Sequence, residues 1–296
     1  MYNLLSGDPA ALRLASVALR LLRPGLPGKA RAARLMLGSL LQSEDVTLSD
    51  RTGCEYLVPS LREPVAFHLL VDGAYEPETL QLLLSRIGPG STFVDVGANI
   101  GALAIPAAQK IGPSGRVVAI EASPRVFPYL AHNVAINGTS NIHLRNCAAS
   151  DSESPALPFY EAPAGHFGMG SLGPQFHAEP APVPAQTLDR ILAEENIAEV
   201  TVLKVDVEGS ESAVFRGAAG LLNSPHPPMV IFEFCDWAEA RLHNEKTGDA
   251  QRLLREYGYQ LWPLEHFGRR DSRPLERELV EGSAMLVAEK PSNPGY

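Results

Sequence analysis

Cysteine is scarce in this 296-residue chain: Cys54, Cys147 and Cys235 stand far apart, with no C-x-x-C spacing and no histidine cluster beside them. That excludes a disulfide framework and a structural zinc site, and makes a reducing cytoplasm the simplest expected location. No uninterrupted run of about 18 apolar residues occurs, so a membrane-spanning helix is not expected. The apolar stretch near the start, Pro9 to Leu22, is broken by arginines, which fits a cleavable secretion signal poorly. Positive charge is also short, with 25 Lys and Arg against 34 Asp and Glu and a net charge of -9. An acidic surface repels phosphate, so nucleic acid is not an expected partner. What is present, 45% hydrophobic residues over a length suited to one large domain with appendages, describes a globular protein with a sizeable core.

Charge is unevenly distributed. Residues 1 to 41 carry Arg13, Arg20, Arg23, Lys29, Arg31 and Arg34 against Asp8 alone, a net +5 that leaves -14 for the remainder. Within residues 9 to 34 the spacing of Arg13 and Arg20 puts both near one face of an apolar helix. Such a helix either touches an anionic membrane surface, as a peripheral contact, or packs on the domain or in a homodimer. Val46 to Leu48 and Tyr56 to Val58 flank the turn-rich SDRTG and predict a hairpin. Residues 1–71 are therefore expected to form a helical and hairpin extension, and residues 72–296 the main domain.

That domain opens with a helix over Pro77 to Ile87 and then alternates: strand Thr92 to Val96, helix Leu103 to Ile111, strand Val117 to Ile120, helix Arg125 to Asn137, strand Ile142 to Asn146. Alternation of this kind predicts an α/β fold, a doubly wound and mostly parallel sheet with helices on both faces. Further elements are expected at Leu188 to Glu195, Val200 to Val205, Glu211 to Leu222, Met229 to Glu233 and Asp236 to Tyr257. Strands near Tyr259 to Pro263 and Ala284 to Glu289 would finish the sheet antiparallel. Glu161 to Pro184, dense in Pro and Gly, reads as a loop facing substrate or as a connector.

The most informative segment is STFVDVGANIG at Ser91 to Gly101. A β-branched strand runs into a turn where Gly97 and Gly101 permit close backbone approach, and Glu121 follows twenty residues later at the end of the next strand, placed to accept ribose hydroxyls. A dinucleotide fingerprint needs G-x-G-x-x-G, whose helix N-terminus faces a pyrophosphate. This turn instead begins with Asp95, which repels an anion and attracts an ammonium or sulfonium. S-adenosylmethionine is thus favoured over NAD.

VDVGANIG, then VVAIEASP, then LKVDVEGSE at Leu203 to Glu211 together resemble the FkbM-type family of SAM-dependent methyltransferases, over roughly Asp72 to Glu233. The resemblance implies a class I, Rossmann-like, seven-stranded fold and methyl transfer to a hydroxyl of a sugar, glycolipid or secondary metabolite. Gly97, Asn99 and Gly101 would wrap the methionine portion with Asp95 toward its ammonium, Glu121 would bind the ribose, and Asp151 would accept from the adenine edge. Asp206 and Glu208, two acids at the tip of a buried strand, are candidates for the proton acceptor, with Glu233 and His243 in reserve. Asp206 and Glu233 also offer oxygen ligands, but no spacing specifies a metal and none is expected. Two competing readings keep part of this picture: a catalytically inactive SAM-binding scaffold of a glycan-assembly complex, and an NAD-dependent oxidoreductase.

Overall fold

A computed structural model describes residues 9–22, 26, 28–163, 165–176, 179–242 and 246–291. The first elements are α1 (Pro9–Arg20), α2 (Lys29–Leu37), the hairpin β1 (Glu44–Ser49) and β2 (Glu55–Ser60), α3 (Pro64–Asp72) and α4 (Pro77–Arg86). The alternating core follows as β3 (Thr92–Val96), α5 (Ala104–Ile111), β4 (Arg116–Ile120), α6 (Phe127–Ile136) and β5 (Ile142–Arg145). Three short strands come next, β6 (Ala148–Ala149), β7 (Ser154–Phe159) and β8 (Ala181–Gln186). Then come α7 (Leu188–Glu194), β9 (Val202–Val205), α8 (Glu211–Arg216), α9 (Ala219–Leu222) and β10 (Met229–Cys235). The chain ends with α10 (Asp236–Glu239), α11 (Asp249–Glu256), β11 (Gln260–Pro263) and β12 (Ser283–Glu289).

Seven strands form one sheet in the order β11-β12-β10-β9-β3-β4-β5. All neighbours among β10, β9, β3, β4 and β5 run parallel, and β12 runs against both β10 and β11. The central strands are buried on both faces, which is why β3, β4 and β9 read as continuous apolar runs rather than alternating ones. One core lies between the sheet and α4, α5 and α6, and it takes in Leu19, Ala33, Leu37, Tyr56 and Leu70 from the N-terminal extension. The other is built from α7, α8, α9 and α11 on the opposite face. From β3 the chain runs outward through β4 and β5 and then returns to place β9 on the other side of β3, so the order of the strands reverses between β3 and β9 and the crevice beyond their carboxyl ends is where a ligand belongs.

Several expected boundaries are corrected. The helix predicted over Glu211 to Leu222 is two: the Gly217 carbonyl leaves the helical ladder to accept the Asp189 N–H at 3.0 Å, and the Asp189 carboxylate then accepts from the N–H groups of Gly220 and Leu221 at the start of α9. The helix predicted over Asp236 to Tyr257 is likewise interrupted, with Gly248 in left-handed backbone at φ 87° immediately before α11. Within Glu161 to Pro184 lies the start of β8, the middle strand of a three-stranded sheet, and a 3-10 turn at Phe167–Met169.

Candidate active site

The turn after β3 is fixed from two sides. The N–H groups of Gly97 and Ala98 both donate to the Ile120 carbonyl, at 2.9 and 3.0 Å, tying the turn to the end of β4. Gly97 has φ 81°, and a Cβ there would lie 1.8 Å from the carbonyl oxygen of Asp206 at the end of β9. Only glycine lets the two strand ends meet. Asn99 adopts left-handed backbone, φ 50°, and its N–H donates to Glu121 Oε2 at 2.9 Å, while Ser123 N–H donates to Oε1 at 2.8 Å. Burial pushes the Glu121 carboxyl up to about 7 in spite of these two bonds.

These segments wall a cavity of about 260 Å³. Gly97 to Asn99 form one side, Glu121 to Ser123 the next, and Cys147 to Ala149 a third, with Phe167 to Gly170 closing from the loop. Asp95 also lines it, is buried, and has Oδ1 without a hydrogen-bond partner. Burial pushes its carboxyl up to about 6, with Lys204 pulling the other way. An orphaned buried carboxylate oxygen beside a glycine cradle suits a cationic ammonium. A carboxylate that still has free lone pairs beside the next strand suits a ribose diol.

Two predicted cofactor residues are not part of this wall. Gly101 does not line the cavity: a Cβ there would press on Ile105 and Leu130 at 3.0 Å, so the glycine serves helix packing behind the turn. Asp151 does not line it either: its carboxylate lies 3.0 Å from Arg216 Nε on the surface, and Cys147 to Ala149 line the cavity in its place. His243 lies outside the described residues.

The acids at the β9 and β10 ends do converge. Asp206, Glu208 and Glu233 each bring one carboxylate oxygen within 4.8 Å of the others, a spacing able to hold a divalent cation that no sequence pattern specified. Lys204, buried two residues before Asp206 on the same strand face, supplies a positive charge from the protein, with Nζ 2.9 Å from Asp206 Oδ2. The charges of Asp206, Glu76 and Asp95 hold its ammonium well above the usual lysine range against the cost of burial. Glu208 sits at φ 55° just before Gly209, strained backbone of the kind that persists at functional sites. Burial and Asp206 push its carboxyl up to about 7, and Glu233 is driven well above the carboxylate range by burial and by its three acidic neighbours Asp206, Glu208 and Glu211.

The loop is built onto this end of the cavity. Ser171 pairs with Tyr160 through two backbone bonds, and its hydroxyl donates to the Glu208 carbonyl at 2.8 Å. Arg241 Nη1 donates to Gln175 Oε1 at 2.6 Å and its guanidinium lies 4.4 Å over the Trp237 ring. Ser123 hydroxyl donates to the Glu161 carboxylate at 2.9 Å. Lys204, Ser123 and Trp237 were not singled out from sequence, whereas the Phe167 to Gly170 turn lies within the Glu161 to Pro184 segment read as a loop facing substrate or a connector. For Lys204 a signal existed: a lone cation inside an apolar strand, in register with Asp206.

Residues 95–261 match the Methyltransferase FkbM domain family. The chain belongs to that family. S-adenosylmethionine is the cofactor of this methyltransferase, and the NAD reading falls away. A protein of Beauveria bassiana named methyltransferase 1 is 28% identical over 192 residues, 56% of this chain and 74% of that protein. Arsenite methyltransferase of Halobacterium salinarum is 34% identical over 61 residues, 21% of this chain and 16% of that one. Nocamycin O-methyltransferase of Saccharothrix syringae is 34% identical over 70 residues, 24% of each chain. Among solved structures, an FkbM methyltransferase of Methylobacillus flagellatus matches at a TM-score of 0.43 and 15% identity, covering 95% of this chain and 58% of that one. Among the described residues no helix is long and apolar enough to cross a membrane.

For this methyltransferase, Glu121→Ala is expected to weaken binding of S-adenosylhomocysteine more than tenfold, about 1.4 kcal/mol or more. The loss would combine the two contacts to the ribose expected of this carboxylate with the release of the Asn99 and Ser123 N–H groups that it accepts. Calorimetric titration measures it, and an unchanged dissociation constant removes Glu121 from the cofactor site.

Proposed function

We propose that the enzyme transfers a methyl group to a hydroxyl of a polyhydroxylated acceptor, of the kind found on a sugar, a glycolipid or a glycosylated secondary metabolite. The observation that carries this reading is the group of three carboxylates at the cavity end bordered by Trp237. S-adenosylmethionine brings an electrophilic methyl group on sulfur, open to in-line attack by oxygen. The neutral alcohol must lose its proton as the new bond forms, and a carboxylate whose proton affinity matches neutral pH is suited to take it. Glu208 meets that condition, while Glu233, which holds its proton more tightly, donates to the Asp206 side. Trp237, 40% exposed, offers an indole face against which the apolar side of a sugar ring can lie. An acid-lined end also disfavours an anionic group next to the reacting oxygen.

Incubation with S-adenosylmethionine and a panel of hydroxylated acceptors, followed by mass spectrometry, tests the reading. Formation of S-adenosylhomocysteine with a methyl ether on the acceptor is the expected result. Methylation confined to amine or thiol acceptors refutes it, and the complete absence of turnover with tight cofactor binding favours the scaffold alternative.

A further inference from the structure

α1 and α2 are anchored by one face and leave another uncovered. On the inner side, Ser16 hydroxyl donates to the Leu70 carbonyl at 3.0 Å, Arg20 Nη2 donates to the Leu69 carbonyl at 2.7 Å, and Lys29 Nζ lies 2.7 Å from Asp72 Oδ1. Leu19, Ala33 and Leu37 are buried beneath. On the outer side, Leu14, Val17 and Leu21, spaced at helical intervals, are 72%, 61% and 84% exposed, and Leu35 and Met36 of α2 are 78% and 66% exposed. Most other large apolar side chains among the described residues are buried, and of the exceptions Trp237 belongs to the cavity. Exposed apolar side chains on two helices held in place by fixed hydrogen bonds mark a contact surface rather than a frayed end.

The charge around it selects the partner. From Pro9 to Gln42 the sequence contains no acid and six bases, whereas the remainder of the molecule is strongly acidic; Arg20 and Lys29 are engaged on the inner side, and Arg31 and Arg34 carry the positive charge seen on the outer one. Arg31 and Arg34 are exposed beside Leu35, with the Arg34 guanidinium 4.5 Å over the Phe67 ring. A symmetric dimer through this face would set one acid-free basic surface against its own copy, which like charge opposes. Exposed leucines interleaved with arginines and free of acids suit the headgroup boundary of an anionic bilayer, where apolar side chains enter the acyl edge and cations meet phosphate. We propose that α1 and α2 form a peripheral membrane-docking face for an anionic lipid surface. The face is anchored on the C-terminal end of α3, the helix whose first residues, Pro64 and Val65, line the catalytic cavity.

Flotation of the full chain with vesicles tests this directly. Binding to vesicles of equimolar phosphatidylglycerol and phosphatidylcholine is expected, weakened by added salt, with binding to phosphatidylcholine alone about tenfold lower or less. Leu21→Gln combined with Leu35→Gln, both at exposed positions, is expected to lower vesicle binding by about tenfold or more without changing the melting temperature or S-adenosylhomocysteine affinity. Arg31→Glu is expected to lower binding to anionic vesicles alone. No binding to anionic vesicles, or equal binding to both compositions, overturns the proposal. A concentration-dependent dimer that the double substitution dissolves also overturns it, by assigning the face to a second copy.

Discussion

Gly97→Ala is expected to abolish cofactor binding and to lower the melting temperature by many degrees. A methyl group at this position would sit 1.8 Å from the Asp206 carbonyl oxygen, well inside any van der Waals contact, on backbone at φ 81° that a side chain already disfavours. The clashing atom belongs to the main chain of β9, so no rotamer change relieves the contact. The end of β3 must move away from β9, breaking the Asp206 N–H bond to the Val96 carbonyl and tilting the Asn99 N–H away from Glu121. Overpacking and strained backbone each cost about 1–3 kcal/mol, and here they add at one residue. Affinity for S-adenosylhomocysteine should fall by more than about a hundredfold, near 2.7 kcal/mol. Calorimetry and thermal unfolding read the two effects separately. Gly101→Ala is the informative comparison, because it shares the positive-φ strain, at φ 90°, while its Cβ would meet only side-chain carbons of Ile105 and Leu130 at 3.0 Å, so the difference between the two variants reads the main-chain clash. A Gly97→Ala protein that binds as well as wild type would show that the turn and β9 do not depend on this approach.

Glu208→Gln is expected to reduce kcat by about 10²–10³ while leaving cofactor affinity within about threefold, the size of a lost general base. The amide keeps the volume and the left-handed backbone but cannot take a proton. Its pH behaviour distinguishes that role from packing. The carboxyl is pushed up to about 7 by burial and by Asp206, so the active, deprotonated form grows as pH rises through that value. The wild-type rate should therefore climb with pH and level off above it, with the midpoint lowered when a cationic cofactor occupies the cavity. In the Glu208→Gln enzyme this limb should vanish, leaving a low, flat rate between about pH 6 and 8. Retention of the limb in the variant would move the titrating group elsewhere in the carboxylate cluster.

The parallel core was legible because buried central strands write themselves as apolar, β-branched runs, and TFVDV, RVVAI and VLKV fall within two residues of where the sequence put them. The same holds for the glycine turn and Glu121, whose spacing follows from the length of one βαβ unit. β8 escaped notice because Pro182 and Pro184 hide its alternation: both prolines face outward, while Val183 and Ala185 are buried between β6 and β7. Asp151 shows a different limit. Sequence position placed it after the third core strand, yet Arg216, some sixty residues on, draws its carboxylate to the surface, and only the folded chain brings the two together. The mutual approach of Asp206, Glu208 and Glu233 has the same origin, since it depends on how β9 lies against β10.

Lys204 and Asp206 carry a consequence for how this chain can change over generations. Losing the lysine alone leaves Asp206 and the buried Asp95 without their cation, at a cost of up to about 3–5 kcal/mol, and losing Asp206 alone leaves the buried ammonium to Asp95 and Glu76. Replacing both by well-packed neutral residues costs far less. Stepwise loss of the lysine is opposed by selection while paired replacement stays open, and Asp95 and Glu76, which share the same ammonium, extend the linkage. The four positions are therefore expected to change together across lineages rather than one at a time.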